Sequence, residues 1–203
     1  PNVLILNKDF ATSNNITDVA SLVAYLEKHG ADINYASGGN GSAGHLAGEL
    51  FKIRSNIDML HIPYQGASPA KLALLANQTQ LMFDNLASAL PLINDNEVVA
   101  LAVTTKERSS FLTDLPTMEE SGVEAFDIST WFGVVSPAGT PEGIVNKLNQ
   151  AYAEGMKDER VQTQMKNMGS DLEPGTAQEF ADYAAAELVK YKDIVESSGI
   201  KLN

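Results

Sequence analysis

Short runs rich in β-branched and aromatic residues alternate with amphipathic helical patterns, and this alternation most narrows the folds open to the chain. Between the runs, residues 17–29 repeat apolar side chains at helical spacing, with Val19, Leu22, Val23 and Leu26 on one face. Strands that alternate with helices of this length indicate βαβ units and a mostly parallel, doubly wound sheet. The six predicted strands are residues 3–6, 33–36, 59–64, 81–83, 98–103 and 131–135.

The pattern changes after the sixth run. Residues 136–141 form a turn cluster, and three amphipathic helical patterns follow with almost no strand character. The sequence therefore predicts a compact α/β lobe up to about residue 130 and a helical appendage from about residue 137. Because amphipathic helices need an apolar surface to cover, we expect the appendage either to pack on the first lobe or to belong to a second lobe that is not fully present.

Composition and charge exclude several classes of protein. The chain has 203 residues, of which 44% are hydrophobic, enough to bury a core. Its net charge is 14 − 26 = −12, which argues against nucleic acid or an anionic membrane surface as partner. It has no cysteine, so disulfides, thiolate nucleophiles and Cys-ligated zinc are excluded. No basic segment followed by an apolar run comes after Pro1, so we expect a signal peptide to be absent or already removed.

The densest chemical signal is the stretch Ser37-Gly38-Gly39-Asn40-Gly41-Ser42-Ala43-Gly44-His45, between a predicted strand and a predicted helix. Glycines let backbone N–H groups turn inward, and the loop opens onto the partial positive charge of a helix N-terminus. This combination predicts an anion site made of main chain. The alternative is a glycine-rich turn that only lets the strand and the helix pack closely.

The spacing Gly39-x-Gly41-x-x-Gly44 also matches the dinucleotide-binding fingerprint. That fingerprint requires an acidic residue at the end of the next strand, to hold a ribose hydroxyl. Here Asp58 precedes that strand and Tyr64 ends it. An NAD(P)-dependent oxidoreductase domain therefore remains the weaker alternative function.

Two further strand ends lie on the same predicted edge of the sheet. Tyr64 ends the third predicted strand and Gly66 follows it in the next loop, while Asp84 directly follows the fourth predicted strand. Ligands of doubly wound sheets bind outside the carboxyl ends of the strands, so we expect these residues to line the same crevice. Tyr64 could instead pack, and Asp84 could instead cap the helix that follows.

The titratable residues suggest no catalytic or metal site. The histidines His29, His45 and His61 lack the spacing of metal ligands, and His61 is expected to be packed. No arginine lies in the glycine-rich stretch, so any anion there is held by peptide dipoles and hydroxyls. We predict a binding module with no metal and no cofactor rather than an enzyme.

Several motifs in order carry a family resemblance. The stretch NYASGGNGSAGHLAGELF (residues 34–51) is followed by HIPYQG (61–66), MFDNL (82–86), LAVT (101–104) with Arg108, LPT (115–117), WFG (131–133) and PAGTP (137–141). Together they resemble the periplasmic substrate-binding proteins of tripartite tricarboxylate transporters, the Bug family. The resemblance covers essentially the whole chain.

The resemblance implies a two-lobed α/β periplasmic binding protein of type II, the Venus flytrap fold. It implies capture of a small organic carboxylate, amino acid or aromatic acid for a membrane permease, in the periplasm or another extracytoplasmic space. The implied ligand-binding residues are Gly39, Asn40, Gly41, Ser42, Ala43, Gly44 and His45, which form one arm of a pincer, with Tyr64, Gly66 and Asp84 on the neighbouring wall. Ala43 stands where many relatives have proline.

The sequence departs from the family pattern at its front, where the first strand, glycine loop and helix of lobe 1 are missing. The implied domains are a complete lobe 2 at residues 11–129, and crossing strands with C-terminal helices of an incomplete lobe 1 at residues 1–10 and 130–203. We therefore expect weak or no ligand affinity for this chain alone, and self-association. The effector lobe of a regulator with the same fold is another alternative, but the chain has no basic segment suited to reading DNA.

Overall fold

The computed structural model describes residues 1–200 and contains one mixed sheet. Its strands are β1 (Asn2–Asn7), β2 (Asn34–Ser37), β3 (Leu60–Pro63), β4 (Leu81–Asn85) and β5 (Val98–Val103). The helices are α1 (Lys8–Ser13), α2 (Val19–His29), α3 (Ala43–Ser55), α4 (Ala67–Leu75), α5 (Leu86–Asn94), α6 (Glu142–Gly155), α7 (Glu159–Asn167) and α8 (Ala177–Ser198). Five of the six predicted strands are confirmed, with bounds that differ by at most two residues.

The chain divides into two compact units. Within the described residues, the first comprises Pro1–Thr130 and residues 194–200, and the second comprises Trp131–Asp193. The predicted assignment of residues 1–10 to lobe 1 differs from this grouping, because β1 lies inside the sheet of the first unit. No helix among residues 1–200 combines the length and the apolar character required to cross a membrane.

The sheet has the order β3-β2-β4-β1-β5. Strand β2 pairs in parallel with β3 and β4, whereas β1 pairs antiparallel with both β4 and β5. Four of the five strands therefore point the same way, as predicted, and β1 is the exception. The alternation of strand and helix patterns does not encode strand direction, so the reversal of β1 could not be read from it.

Apolar residues fill both faces of the sheet, because successive side chains of a strand alternate between its faces. Val3 and Ile5 of β1 lie in one cluster with Ala70 and Leu74 of α4 and with Leu86 of α5. All six residues of β1 are buried. The opposite face carries aromatic contacts: the Phe83 ring lies 5.8 Å from that of Phe51 on α3 and 5.9 Å from that of Phe126.

The predicted strand at residues 131–135 is wrong, since the structure has no strand there. Phe132 is 84% exposed and Val135 is 83% exposed. A strand needs a neighbouring backbone to pair with, and none within residues 1–200 pairs with this segment. β-rich composition alone does not supply that partner.

The second unit is helical, as predicted. A capping box begins α8: the Thr176 N–H donates to the Glu179 carboxylate (2.7 Å) and the Glu179 N–H donates to the Thr176 hydroxyl (3.1 Å). The Trp131 ring meets those of Phe180 and Tyr183 edge-on, at 5.6 and 5.7 Å. Neither α6 nor α7 contains a buried residue among the residues described. The amphipathic faces seen in the sequence thus remain largely exposed.

A test of the packing uses Gly48, where α3 crosses the sheet. A Cβ at Gly48 would lie 2.2 Å from Cε2 of the buried Tyr35 ring. We expect Gly48→Ala to lower the free energy of unfolding in urea by about 1–3 kcal/mol, although alanine is the better helix former. Glu27→Ala, at an exposed position of α2, should change it by less than about 0.5 kcal/mol. A Gly48→Ala variant as stable as the parent would contradict this packing.

Candidate functional site

Two loops meet at the carboxyl edge of the parallel strands. The glycine loop (residues 38–42) connects β2 to α3, and the β3–α4 loop (residues 64–66) follows the neighbouring strand. The Tyr64 N–H donates to the Ser37 carbonyl (3.0 Å), and the Gly66 N–H donates to the Gly38 carbonyl (3.1 Å). The structure therefore brings the glycine loop, Tyr64 and Gly66 together.

The glycine loop needs glycine at two positions for its backbone conformation. Gly39 has φ of 133° and Gly41 has φ of 75°, values that L side chains rarely adopt. A turn joins them to the helix, since the Ser42 N–H donates to the Gly39 carbonyl (3.2 Å). The loop is thus a tight turn of defined shape.

Several amides of this region are already used inside the protein. The Gly39 N–H donates to Oγ of Ser37 (3.1 Å), and the Gly41 N–H donates to Nδ1 of His45 (3.0 Å). Ser42 caps α3 by accepting the His45 N–H at its hydroxyl (3.3 Å). The helix therefore begins at Ala43, inside the glycine-rich stretch.

Four amides remain for a ligand. Within residues 1–200, the N–H groups of Gly38, Asn40, Ala43 and Gly44 donate to no acceptor. Those of Ala43 and Gly44 belong to the first turn of α3, where helix geometry provides no partner and the helix dipole is positive. Such amides can bind the oxygens of an anion.

Gly44 shows that close packing also explains part of the motif. A Cβ at this position would lie 2.4 Å from the Phe83 carbonyl oxygen of β4. This glycine lets α3 approach the sheet. The packing interpretation therefore holds for Gly44, whereas the anion-site interpretation of the stretch stays a prediction.

Two histidines stack beneath the glycine loop. The His45 and His61 rings are 3.9 Å apart and nearly parallel, at 7°, and Nε2 of His61 lies 2.6 Å from Oγ of Ser37. Burial lowers the pKa of both, and the neighbouring His45 and Lys52 contribute to lowering that of His61 to about 4. Sequence reasoning expected His61 to be packed but missed its link to the loop.

A buried polar chain extends from this stack. The Tyr35 ring stacks on His61 at 4.8 Å, and its hydroxyl donates to Oε1 of Glu49 (2.6 Å). Nζ of Lys52 lies 3.3 Å from the same oxygen. Burial and the Glu49 carboxylate raise the pKa of Tyr35. In the sequence, the sole sign of these polar contacts was Glu49, which follows His45 by four residues and so lies on the same helix face.

Asp84 lies apart from the histidine stack. Because side chains alternate along a strand, Asp84 and Phe83 lie on opposite faces of β4, and Phe83 contacts α3. Asp84 is buried, and burial raises its pKa, while Ser88, the Asn85 amide and Lys71 act in the opposite direction. Its Oδ2 has no hydrogen-bond partner within residues 1–200. The helix cap proposed for it belongs to Asn85, whose Oδ1 accepts the Ala87 N–H (2.9 Å).

Tyr64, expected to face the crevice, is half-buried. It packs against the apolar cluster around Val3, Ala70 and Leu74.

Among residues 1–200, no three histidine, aspartate or glutamate side chains are grouped so as to hold a metal ion.

Comparisons with known proteins agree with this architecture. Residues 1–200 match the family described as "Tripartite tricarboxylate transporter family receptor". The UPF0065 protein in the tcbD-tcbE intergenic region of Pseudomonas sp. strain P51 is 30% identical over 204 residues, which are 100% of this chain and 60% of that protein. The chain thus spans less than two thirds of this curated relative.

Solved structures match closely. Rpa4515 of R. palustris with adipate superposes with a TM-score of 0.89 at 32% identity, covering 98% of this chain and 66% of that one. The periplasmic binding protein BugD gives a TM-score of 0.85 at 30% identity, with the same coverage. These comparisons do not support the oxidoreductase alternative.

The lowered pKa of His61 predicts a pH dependence of stability. Because the unfolded chain binds a proton at a pKa near 6.5 and the folded chain only near 4, protonation favours unfolding in this interval. The free energy of unfolding should fall as the pH drops from about 6.5 to about 4. We expect urea titrations of His61→Gln to show a shallower fall. Leu60→Gln, at an exposed neighbour on β3, should retain the parent slope, and equal slopes for His61→Gln and the parent would contradict the prediction.

Proposed function

Because this chain belongs to the tripartite tricarboxylate transporter receptor family, we propose that it acts in the periplasm. There it captures a small organic carboxylate and delivers it to the membrane permease of such a transporter. The observation that carries this proposal is the set of unpaired amides of Asn40, Ala43 and Gly44, at the glycine loop and the start of α3. Rpa4515, which shares this fold, has adipate bound.

The proposed ligand site comprises the glycine loop, the first residues of α3 and the β3–α4 loop. Amides of Asn40, Ala43 and Gly44 would bind one ligand carboxylate. Gly39, Gly41, Ser42 and His45 would hold them in place, with Tyr64 and Gly66 beside them. A role for Asp84 stays a prediction, because it lies on the other face of the sheet from His45.

The acidity of the chain does not oppose this function. The net charge is −12, but exposed charges are largely screened beyond about 8 Å at physiological salt. Peptide dipoles act at contact distance, where the helix N-terminus is positive. The local donors therefore decide the sign of the ion that binds.

The proposal is tested by titrating the ¹⁵N-labelled chain with adipate while recording amide chemical shifts. This method detects weak as well as tight binding. We expect saturable shifts at the Asn40, Ala43 and Gly44 amides, and much smaller shifts with adipamide, the uncharged diamide of the same length. Equal responses to both compounds, or none to adipate, would refute carboxylate binding at this site.

A variant separates helix capping from anion binding. Ser42→Asp should retain the stability of α3, because aspartate caps helices about as well as serine, but it places a negative charge at the site. Like charges about 4 Å apart repel by about 1–4 kcal/mol between water and a protein surface, so adipate should bind at least about tenfold more weakly. Ser42→Asn, an uncharged cap, is the matched control and should bind like the parent. Unchanged adipate affinity in Ser42→Asp would place the anion elsewhere.

Self-association of this chain is a further part of the proposal. Leu188 of α8 is 70% exposed and its neighbour Val189 is 62% exposed, so contact between copies would remove apolar surface from water. We expect sedimentation velocity to show association that increases with concentration and decreases in Leu188→Lys. Ala186→Lys, which adds the same charge at an exposed position of α8, should associate like the parent. A single-chain species of the parent at every concentration would contradict this expectation.

A further inference from the structure

We propose that His45 is a positioning residue of this anion site, an inference that rests on the proposed function. By accepting the Gly41 N–H at Nδ1 (3.0 Å), His45 fixes the middle of the glycine loop. It thereby holds the Asn40 amide ready for a ligand carboxylate without contacting the ligand itself.

The hydrogen bond assigns a single form of the His45 ring. Nδ1 can accept a hydrogen bond only if it carries no proton, so the ring must be neutral with its hydrogen on Nε2. A proton on Nδ1, in the other tautomer or in the imidazolium, would face the Gly41 N–H and break the contact.

The surroundings of His45 favour this neutral form. The ring lies 3.9 Å from His61 of β3, and two positive charges at that distance would repel each other, so the stacked pair does not favour protonation of both rings. Glu49 and Lys52 of α3 also act on it, with opposite signs, while burial is the largest influence and lowers its pKa. The hydroxyl of Tyr35 on β2 donates a hydrogen bond to the Glu49 carboxylate and holds it in place.

Asn40 lies between two anchored amides. The Gly39 N–H on one side is held by Ser37, and the Gly41 N–H on the other side is held by His45. The Ser37 hydroxyl is itself 2.6 Å from Nε2 of His61. The two stacked histidines therefore act on the two sides of the same loop residue. A donor fixed before binding avoids the entropic cost of ordering it.

Two variants distinguish positioning from simple packing. His45→Phe retains an aromatic ring that fills the space and stacks on His61, but it has no acceptor for the Gly41 N–H. His45→Asn loses the ring but supplies a side-chain oxygen acceptor close to the backbone. If His45 serves only as packing, His45→Phe should behave like the parent and His45→Asn should be the impaired variant.

The experiment uses NMR of the ¹⁵N-labelled chain. In the parent at pH 7 we expect the imidazole nitrogen shifts of His45 to show the Nε2–H tautomer. In His45→Phe, hydrogen exchange of the Gly41 amide should be about tenfold faster, the equivalent of one lost hydrogen bond, and the adipate titration should weaken by about the same factor. His45→Asn should recover most of both.

Other outcomes overturn the inference. A His45 ring that is protonated or carries its hydrogen on Nδ1 refutes it in the parent, even if a variant fails to fold. Gly41 exchange that is unchanged in a folded His45→Phe variant refutes it as well. An adipate titration that shifts no amide of the parent counts against the proposed function, whereas the tautomer and Gly41 exchange test the positioning role independently.

Discussion

The parallel pairing of β2 with β3 is the constraint on which the candidate site depends. Its register places Tyr35 beside His61 and Ser37 beside Pro63, so the loops that follow the two strands emerge side by side. Two backbone hydrogen bonds then join the loops, from Tyr64 to Ser37 and from Gly66 to Gly38. A shift of one residue would turn His61 to the other face of the sheet and remove both the ring stack and the link to Ser37.

In this arrangement, several backbone N–H groups of the loop donate hydrogen bonds to acceptors within the loop and its neighbours. A glycine-rich loop before a helix suggests many N–H groups directed at a ligand, but those of Gly39, Gly41 and Ser42 are used to shape the loop. Of the amides that remain, Gly38 and Asn40 supply one each and the first turn of α3 supplies two. A smaller set of fixed donors suits a carboxylate, which has two oxygens to satisfy.

Much of the fold could be predicted from the sequence, because local patterns encode it. The periodicity of residues 17–29 indicated α2, and the amphipathic patterns after residue 141 indicated the helices of the second unit. The glycine loop and its neighbour at Tyr64 were placed correctly on one edge of the sheet. The reversed direction of β1 and the lack of a strand at residues 131–135 were not predictable, because both depend on which backbones pair. The buried hydrogen bond between Tyr35 and Glu49 depends on how α3 packs against β2, which no local sequence pattern encodes.

The glycines of this region explain why a sequence motif alone could not distinguish a ligand site from a packing device. Gly39 and Gly41 are required by their backbone conformation, whereas Gly44 and Gly48 are required by the closeness of Phe83 and Tyr35. Within ten residues, glycines are thus required for two different reasons, backbone conformation and close packing. The close approach of α3 to the sheet places the His45 ring against His61. The same ring accepts the Gly41 N–H, so the shape of the loop depends on how the helix packs. The formal match to a dinucleotide fingerprint follows from the same requirements, since any glycine loop that begins a closely packed helix needs small residues at similar intervals.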